Sequence, residues 1–190
     1  MPLLYRSVFP AMWLTWMLYW WVASNNVKIT VRRESVPSRL VHMVPLWFAM
    51  VLLWGPHARV GVLNQRFLPL AAWTFWVGSV LTAAGLLFAV WARLHLGRNW
   101  SGTVTIKDGH ELITSGPYAL VRHPIYTGLL LALLGTALAL GEWRGLLAVA
   151  LAGGAFWFKL RIEERWMRQQ FGAAYLAYAH RVRALVPFVL

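Results

Sequence analysis

The chain has 190 residues, of which 59% are hydrophobic and only 13% are charged. So apolar a composition excludes an ordinary soluble domain and indicates an integral membrane protein. The net charge of +12 does not indicate nucleic-acid binding, because the basic residues are spread over short segments, and the lack of cysteine excludes disulfides and thiol chemistry.

Uncharged segments recur along the chain. They lie between Arg6 and Lys28, between Arg39 and Arg59, between Arg66 and Arg93, and between Arg122 and Glu142, and a shorter one covers residues 145–158. A helix needs roughly 20 apolar residues to cross about 30 Å of hydrocarbon, and flanking cations let a shorter helix span it. We therefore predict an all-α integral membrane protein with about five transmembrane helices and a C-terminal cytosolic or interfacial helical segment.

The basic residues predict the orientation of these spans. With the N-terminus outside, only Arg6, Arg59, Arg66 and Arg144 remain on the outer side, and the other basic residues face the cytosol. This asymmetry follows the positive-inside rule, so we expect the active site and the C-terminus to be cytosolic. The bias towards Ala, Leu, Arg and Trp favours a prokaryotic inner membrane as the location of this multi-pass protein.

The two parts of the chain differ in chemistry. Residues 1–92 form three predicted spans, whereas residues 93–190 contain five of the six acidic residues and four of the six histidines. We found no internal repeat or low-complexity linker, which indicates one structural domain. Chemistry is expected in the second part, around two spans and an interfacial helix.

The segment GPYALVRHPIYTG, residues 116–128, brings polar residues to the edge of an apolar run. Proline suits the first turn of a helix and disfavours helical geometry in the residue before it, so the fourth span is predicted to begin at Pro124. Arg122 and His123 then lie beside the N-terminus of that helix, where backbone amides favour anionic groups.

Glu163 and Glu164 form the chain's adjacent acidic pair, just beyond the fifth apolar run. They could be a solvated helix segment balanced by neighbouring arginines, or one carboxylate could face inward to hold a cationic ligand. Adjacent helical positions point about 100° apart, so the two cannot face one site equally. Glu163 is the better candidate because it shares a face with Lys159.

His110 and His123 lack nearby ligands at the usual metal spacing, so we do not predict a metal site. Either imidazole could act as a general base or as a hydrogen-bonding anchor for the loop. Tyr118 and Tyr126 are by default interfacial aromatic residues.

Three ordered blocks, GRNWS, KDGHELITSGPYALVRHPIYTG and EERWMRQQFGAAYLAY, together resemble the C-terminal core of the isoprenylcysteine carboxyl methyltransferase family and its wider phospholipid methyltransferase relatives. The resemblance covers roughly residues 95–188. It implies a membrane enzyme that binds S-adenosylmethionine on the cytosolic side and methylates a carboxylate on a lipid-like or prenylated acceptor. It also implies that residues 1–92 shape the acceptor tunnel and anchor the protein.

The resemblance further implies roles for particular residues. The cofactor would be held by His110, Glu111, Leu112, Ile113, Tyr118, His123, Pro124, Ile125, Tyr126 and Glu163, with Glu164 as the other carboxylate available for its positive groups. Lys159 occupies the position at which the family often has an arginine for the acceptor. Lysine keeps the charge but loses the two-pronged guanidinium geometry, so Arg122 or Arg161 could share this task.

Several alternatives remain open at this point. A phospholipid amine N-methyltransferase would need a base such as Glu164 or a histidine. A sterol-reductase-like enzyme would bind NADPH at a similar RHP segment, and a non-enzymatic membrane protein is the third possibility. The expected partners are the lipid bilayer and the methyl acceptor, without nucleic acid or metal, and the oligomeric state is left open.

Overall fold

The structure is a computed structural model that describes residues 2–25, 27–55, 61–107, 109 and 111–187. His110, one of the predicted cofactor residues, lies outside the described residues.

Five long helices dominate the described part of the chain. They are α1 (Pro2–Ala23), α2 (Val36–Trp54), α3 (Ala72–Leu96), α5 (Pro124–Leu140) and α6 (Trp143–Phe171), with the short helices α4 (Pro117–Leu120) and α7 (Ala173–Arg181) around the last two. Strands β1 (Thr30–Arg33) and β2 (Thr105–Lys107) and two 3₁₀ turns, Gly61–Asn64 and Gly97–Asn99, complete the order.

Each predicted span corresponds to one long helix, and α5 begins at Pro124 as predicted. Among the described residues, three helical segments combine the length and hydropathy needed to cross a membrane: Val36–Trp54, Ala72–Asn99 and Trp143–Phe171. Pro124–Leu140 is a shorter apolar helix. Large apolar side chains such as Trp21 and Leu87 are 68% exposed, as expected for a lipid-facing surface. The prediction of a helical, multi-pass membrane protein is confirmed.

Helices α3 and α5 approach each other closely because glycines face one another. A Cβ atom on Gly78 would lie 2.5 Å from the carbonyl oxygen of Gly135, and one on Gly135 would lie 2.6 Å from the carbonyl oxygen of Gly78. Thr82 donates to the carbonyl of Ala132 at 3.2 Å across the same contact. Small residues and buried hydroxyls are the usual means by which membrane helices associate. This contact places the N-terminus of α5.

The main core cluster joins α1, α2, α3, α5 and α6 through side chains such as Trp13, Leu53, Leu86, Leu133 and Phe156. The long helices alternate in direction, so their ends form two polar regions. At one end, Arg144 bonds the carbonyl of Leu52 at 2.7 Å; at the other, Arg93 bonds the carbonyl of Ala23 at 2.5 Å. Arg144, which the orientation prediction assigns to the outer side, and Arg93, which it assigns to the cytosolic side, thus lie at opposite ends.

A two-stranded antiparallel ribbon joins β1 to β2 at the end of the molecule that carries α4 and α7. Arg33 pairs with Thr105, and a register irregularity lies between Thr30 and Arg32. We had not predicted this ribbon, because each strand is too short to show an alternating pattern in the sequence. It ties the loop after α3 to the chain before α2.

Candidate active site

A cavity of about 270 Å³ opens where α5 begins and α6 leaves the apolar layer. Eleven of the predicted site residues line it: Glu111, Leu112, Ile113, Tyr118, Arg122, His123, Pro124, Ile125, Tyr126, Lys159 and Glu163. The blocks that resemble the methyltransferase family, separated in the chain by a whole helix, therefore meet around one space.

The chain before α5 is held in place by the C-terminal segment. The backbone N–H of Arg122 donates to Arg183 O at 2.8 Å, and that of His123 donates to Ala184 O at 3.0 Å. Thr127, in the first turn of α5, donates its hydroxyl to Leu185 O at 2.7 Å. These bonds satisfy groups that a helix N-terminus leaves unpaired and fix the direction of the His123 side chain.

His123 lies between two carboxylates. Its Nδ1 is 3.4 Å from Glu163 Oε2, and its Nε2 is 3.4 Å from Glu164 Oε1. Burial by itself lowers the pKa of His123, but the close contacts with both carboxylates and their negative charges outweigh burial, so the pKa is raised above its ordinary value. The imidazole therefore favours its protonated form and orients both glutamates.

Tyr126 carries one side of the cavity. Its hydroxyl donates to Glu163 Oε1 at 2.5 Å. Its ring stacks on His123, with centroids 5.5 Å apart, and on Phe156, with centroids 4.9 Å apart, both within 9° of parallel. The three rings form a parallel stack beside a carboxylate, so this side of the cavity combines aromatic surface with a negative charge.

Glu164 has a different environment from Glu163. It is 6% exposed and accepts a hydrogen bond from Arg122 Nε at 2.9 Å, and within the described chain it does not line the cavity. Arg122 also donates to the carbonyls of Ala179, at 3.1 Å, and Val182, at the end of α7. The pair Arg122–Glu164 thus joins α7 to α6, although Arg122 also reaches the cavity.

Lys159 is 9% exposed and lies inside the cavity wall. Its Nζ donates to Gly102 O at 2.9 Å and lies 5.4 Å from the centre of the Tyr126 ring. Arg161, by contrast, is exposed, with its guanidinium 5.7 Å from the ring of Trp157. Two helical positions correspond to a rotation of about 200°, so the structure points Arg161 away from the cavity that Lys159 enters.

α7 closes another side of the cavity with two tyrosines that were not among the predicted site residues. Tyr175 and Tyr178 are buried, and the Tyr178 hydroxyl donates to Tyr118 O at 2.7 Å. Burial raises the pKa of Tyr178 to about 12 and that of Tyr118 well above its ordinary value. The phenols of Tyr118 and Tyr178 therefore stay neutral and line the cavity as uncharged polar groups.

Sequence reasoning missed two further parts of the lining. Residues 100–105 cover the cavity, and Trp16 and Trp20 of α1 form an apolar edge with Leu129. The rings of Trp16 and Trp20 stack with centroids 4.5 Å apart. Their spacing of one helical turn shows in the sequence that the two side chains lie on the same face of α1. Aromatic residues on one face of a membrane helix more often contact lipid, so this spacing did not predict a site.

The donor set fits an organic ligand with positive charge better than a metal. Across the described ranges, no three His, Asp or Glu side chains are grouped as a metal ion would require. Glu163 offers a carboxylate, Lys159 a cation, and Tyr126 and Phe156 flat apolar surfaces. These are complementary to a ligand that carries positive and negative groups and a planar ring.

Comparison with known proteins points in the same direction. A sequence profile described as phospholipid methyltransferase matches residues 73–174. The probable protein-S-isoprenylcysteine O-methyltransferase of Oryza sativa subsp. indica is 35% identical over 117 residues, which cover 60% of this chain and 61% of the rice protein. The cobalt-zinc-cadmium resistance protein CzcN of Cupriavidus metallidurans is 33% identical over 115 residues, covering 59% of this chain and 51% of CzcN.

Among solved structures, the eukaryotic intramembrane Ras methyltransferase, an isoprenylcysteine carboxyl methyltransferase, superimposes with a TM-score of 0.53 and 26% identity. The match covers 82% of this chain and 54% of that protein. The chain thus spans about three fifths of the rice relative's length and about half of the solved one.

Proposed function

Because the chain belongs to the phospholipid methyltransferase family, we propose that it is an integral membrane enzyme that uses S-adenosylmethionine to methylate a carboxylate on a lipid-like or prenylated acceptor. One observation carries this proposal. A single cavity at the end of the apolar layer is lined both by Glu163, His123 and Lys159 and by the apolar side chains of α1 and α5. It offers a water-soluble cofactor and a membrane-embedded acceptor a common space.

The cofactor supplies an electrophilic methyl group on a sulfonium: a bond forms from the acceptor oxygen to the methyl carbon, the carbon–sulfur bond breaks, and its electrons remain on a neutral thioether. A carboxylate is already ionised near neutral pH, so the protein need not remove a proton. It has to align the two groups and exclude water.

In this proposal Glu163 binds a positive group of the cofactor. Tyr126 and protonated His123 hold the carboxylate in one orientation, through the 2.5 Å hydrogen bond and the 3.4 Å ion pair. The side chains of Leu112 and Ile113 provide apolar surface for the adenine. A fixed, partly buried carboxylate stabilises a cation more than a solvated one does.

Lys159 is the proposed cation for the acceptor carboxylate. It lines the cavity, whereas Arg161 points away from it and the Arg122 guanidinium is bonded to Glu164 and to two carbonyls of the α7 end. Trp16, Trp20 and Leu129 would accommodate the hydrocarbon part of the acceptor. With this arrangement, the part before residue 93 contributes the acceptor side of the site.

We further propose that the N-terminus is outside and that the cavity and the C-terminus face the cytosol. The end of the molecule with the cavity also carries the exposed cations Arg32, Arg98, Arg161, Arg165 and Arg181. Positively charged segments remain preferentially on the cytosolic side during insertion.

Membranes containing the protein, supplied with methyl-labelled S-adenosylmethionine, test this function. We expect label in the lipid or lipidated fraction that mild base releases, as it would release a methyl ester. Label that resists base would instead identify the amine-methylating alternative, and lack of transfer together with lack of S-adenosylhomocysteine binding by folded protein would reject both. The Lys159→Met variant should lose transfer, with Lys159→Arg retaining more of it than Lys159→Met.

A further inference from the structure

We propose that Glu34, between β1 and α2, is a positioning residue that holds a roof over the cofactor cavity. The roof is defined as residues 100–105, all six of which line the cavity. This inference rests on the proposed function, because it assigns S-adenosylmethionine to the cavity. It adds a residue outside the segment that matches the family profile, residues 73–174.

Glu34 and Val104 are joined by two hydrogen bonds. The backbone N–H of Glu34 donates to Val104 O at 3.0 Å, and the backbone N–H of Val104 donates to Glu34 Oε1 at 3.2 Å. Glu34 is 6% exposed and Val104 is 2% exposed, so water does not compete for these bonds. A charged acceptor makes the second bond stronger than a neutral pair would.

The Glu34 carboxylate is itself fixed from α2. The Ser38 hydroxyl donates to Glu34 Oε2 at 3.0 Å, and His42 Nε2 lies 3.1 Å from Glu34 Oε1 and 3.2 Å from Glu34 Oε2. His42 is 1% exposed. Ser38 and His42 follow Glu34 at four and eight residues, so successive turns of α2 approach one carboxylate.

Lys159 holds the roof from the opposite side. Its Nζ donates to Gly102 O at 2.9 Å, two residues before Val104. The roof is therefore held from two sides. Glu34, whose carboxylate is fixed by residues of α2, bonds Val104, and Lys159 of α6 bonds Gly102.

Within the described part of the chain, Glu34 is not a lining residue of the cavity. Its removal should therefore affect how well the cavity fits the cofactor and leave the transfer step unchanged once the cofactor is bound. A displaced backbone segment of this kind lowers affinity by misplacing contacts. This separates a positioning role from a catalytic one.

The test compares Glu34→Ala, Glu34→Gln and the control Glu142→Ala in the full chain in lipid nanodiscs. Glu142 is a part-buried, paired carboxylate at the opposite end of the molecule. We expect Glu34→Ala to weaken S-adenosylhomocysteine binding about tenfold or more, with the transfer rate at saturating cofactor within about twofold. Amide exchange in residues 100–105 should accelerate. Glu34→Gln keeps an oxygen acceptor for Val104 and should stay within about threefold.

An unchanged affinity in Glu34→Ala, or unchanged roof exchange, overturns the proposal, and so does an equal loss in Glu142→Ala. If the wild-type protein binds no S-adenosylhomocysteine, the proposed function fails. Amide exchange in residues 100–105 still tests whether Glu34 holds the roof in place. Should Glu34→Ala not fold, His42→Ala removes the partner of the same carboxylate, and we expect faster roof exchange with a smaller loss of affinity. No change in either quantity would contradict the proposal.

Discussion

The imidazole of His123 lies 3.4 Å from the carboxylate of Glu163, although the whole of α5 separates the two residues in the chain. α5 and α6 run in opposite directions, so the N-terminus of α5 lies beside the C-terminal half of α6. The contact combines a helix N-terminus, a buried imidazole and a carboxylate on the wall of one cavity. The following predictions depend on this geometry.

Replacing Glu163 with Gln should weaken S-adenosylhomocysteine binding about tenfold or more, because the amide keeps the size of the side chain but loses the charge proposed to bind the ligand's ammonium. Glu142→Gln at the other end of the molecule is the matched control and should bind normally. Calorimetry on detergent-solubilised protein measures both. Wild-type affinity in Glu163→Gln would exclude this carboxylate from the cofactor site.

The stability of the protein should fall as pH rises above neutrality because of His123. Its pKa in the folded protein is raised above the ordinary 6.5 by Glu163 and Glu164, despite burial. The protonated imidazole thus stabilises the folded state fully below pH 6.5, and this contribution is lost as pH rises through the raised pKa. Thermal unfolding between pH 6 and 9 should show a decline that is smaller in His123→Asn. An equal decline in both proteins would contradict the assignment.

Arg122→Met should destabilise the protein by about 2 kcal/mol, because the buried Glu164 carboxylate loses its nearest guanidinium and keeps the longer contacts with His123, at 3.4 Å, and Arg168, at 3.5 Å. The side chains of Arg122 and Glu164 are only 12% and 7% exposed. The double variant Arg122→Met, Glu164→Gln should recover part of the loss, since the buried charge that Arg122 balanced is gone. Unfolding temperatures of the four proteins form a double-mutant cycle, and additive losses would show that the two residues act independently.

Gly135→Ala should destabilise the α3–α5 contact by about 1–3 kcal/mol, because the new methyl group meets backbone that cannot move away easily. Its Cβ would lie 2.6 Å from Gly78 O and 2.6 Å from Thr82 N. Gly154→Ala is the control on α6, where a Cβ meets nothing within 4 Å. This change should be neutral or slightly stabilising, since alanine favours a helix more than glycine by about 1 kcal/mol. Similar unfolding temperatures for the two variants would contradict the close packing.

The sequence alone determined the membrane class and the existence of the long helices, since uncharged runs of the right length leave few alternatives in a bilayer. It also located the start of α5 at Pro124, because proline has a local effect on backbone geometry. The resemblance to the family predicted eleven of the residues that the structure brings to the cavity, which is fewer than half of its lining. These features are contained in short segments, so their signals are visible without knowledge of the neighbours.

Only the tertiary structure decided which of those residues face the cavity and which are paired elsewhere or point outward. Spacing placed Glu163 and Glu164 on different faces of one helix, but it could not show that the second face meets Arg122 while the first opens into the cavity. It also could not show that Arg161 points outward, or that Glu34 reaches Val104 from the other part of the chain. Such pairings arise from the packing of α2, α6 and the loop after α3, and the free energy of burying a carboxylate depends on which donors that packing brings to it.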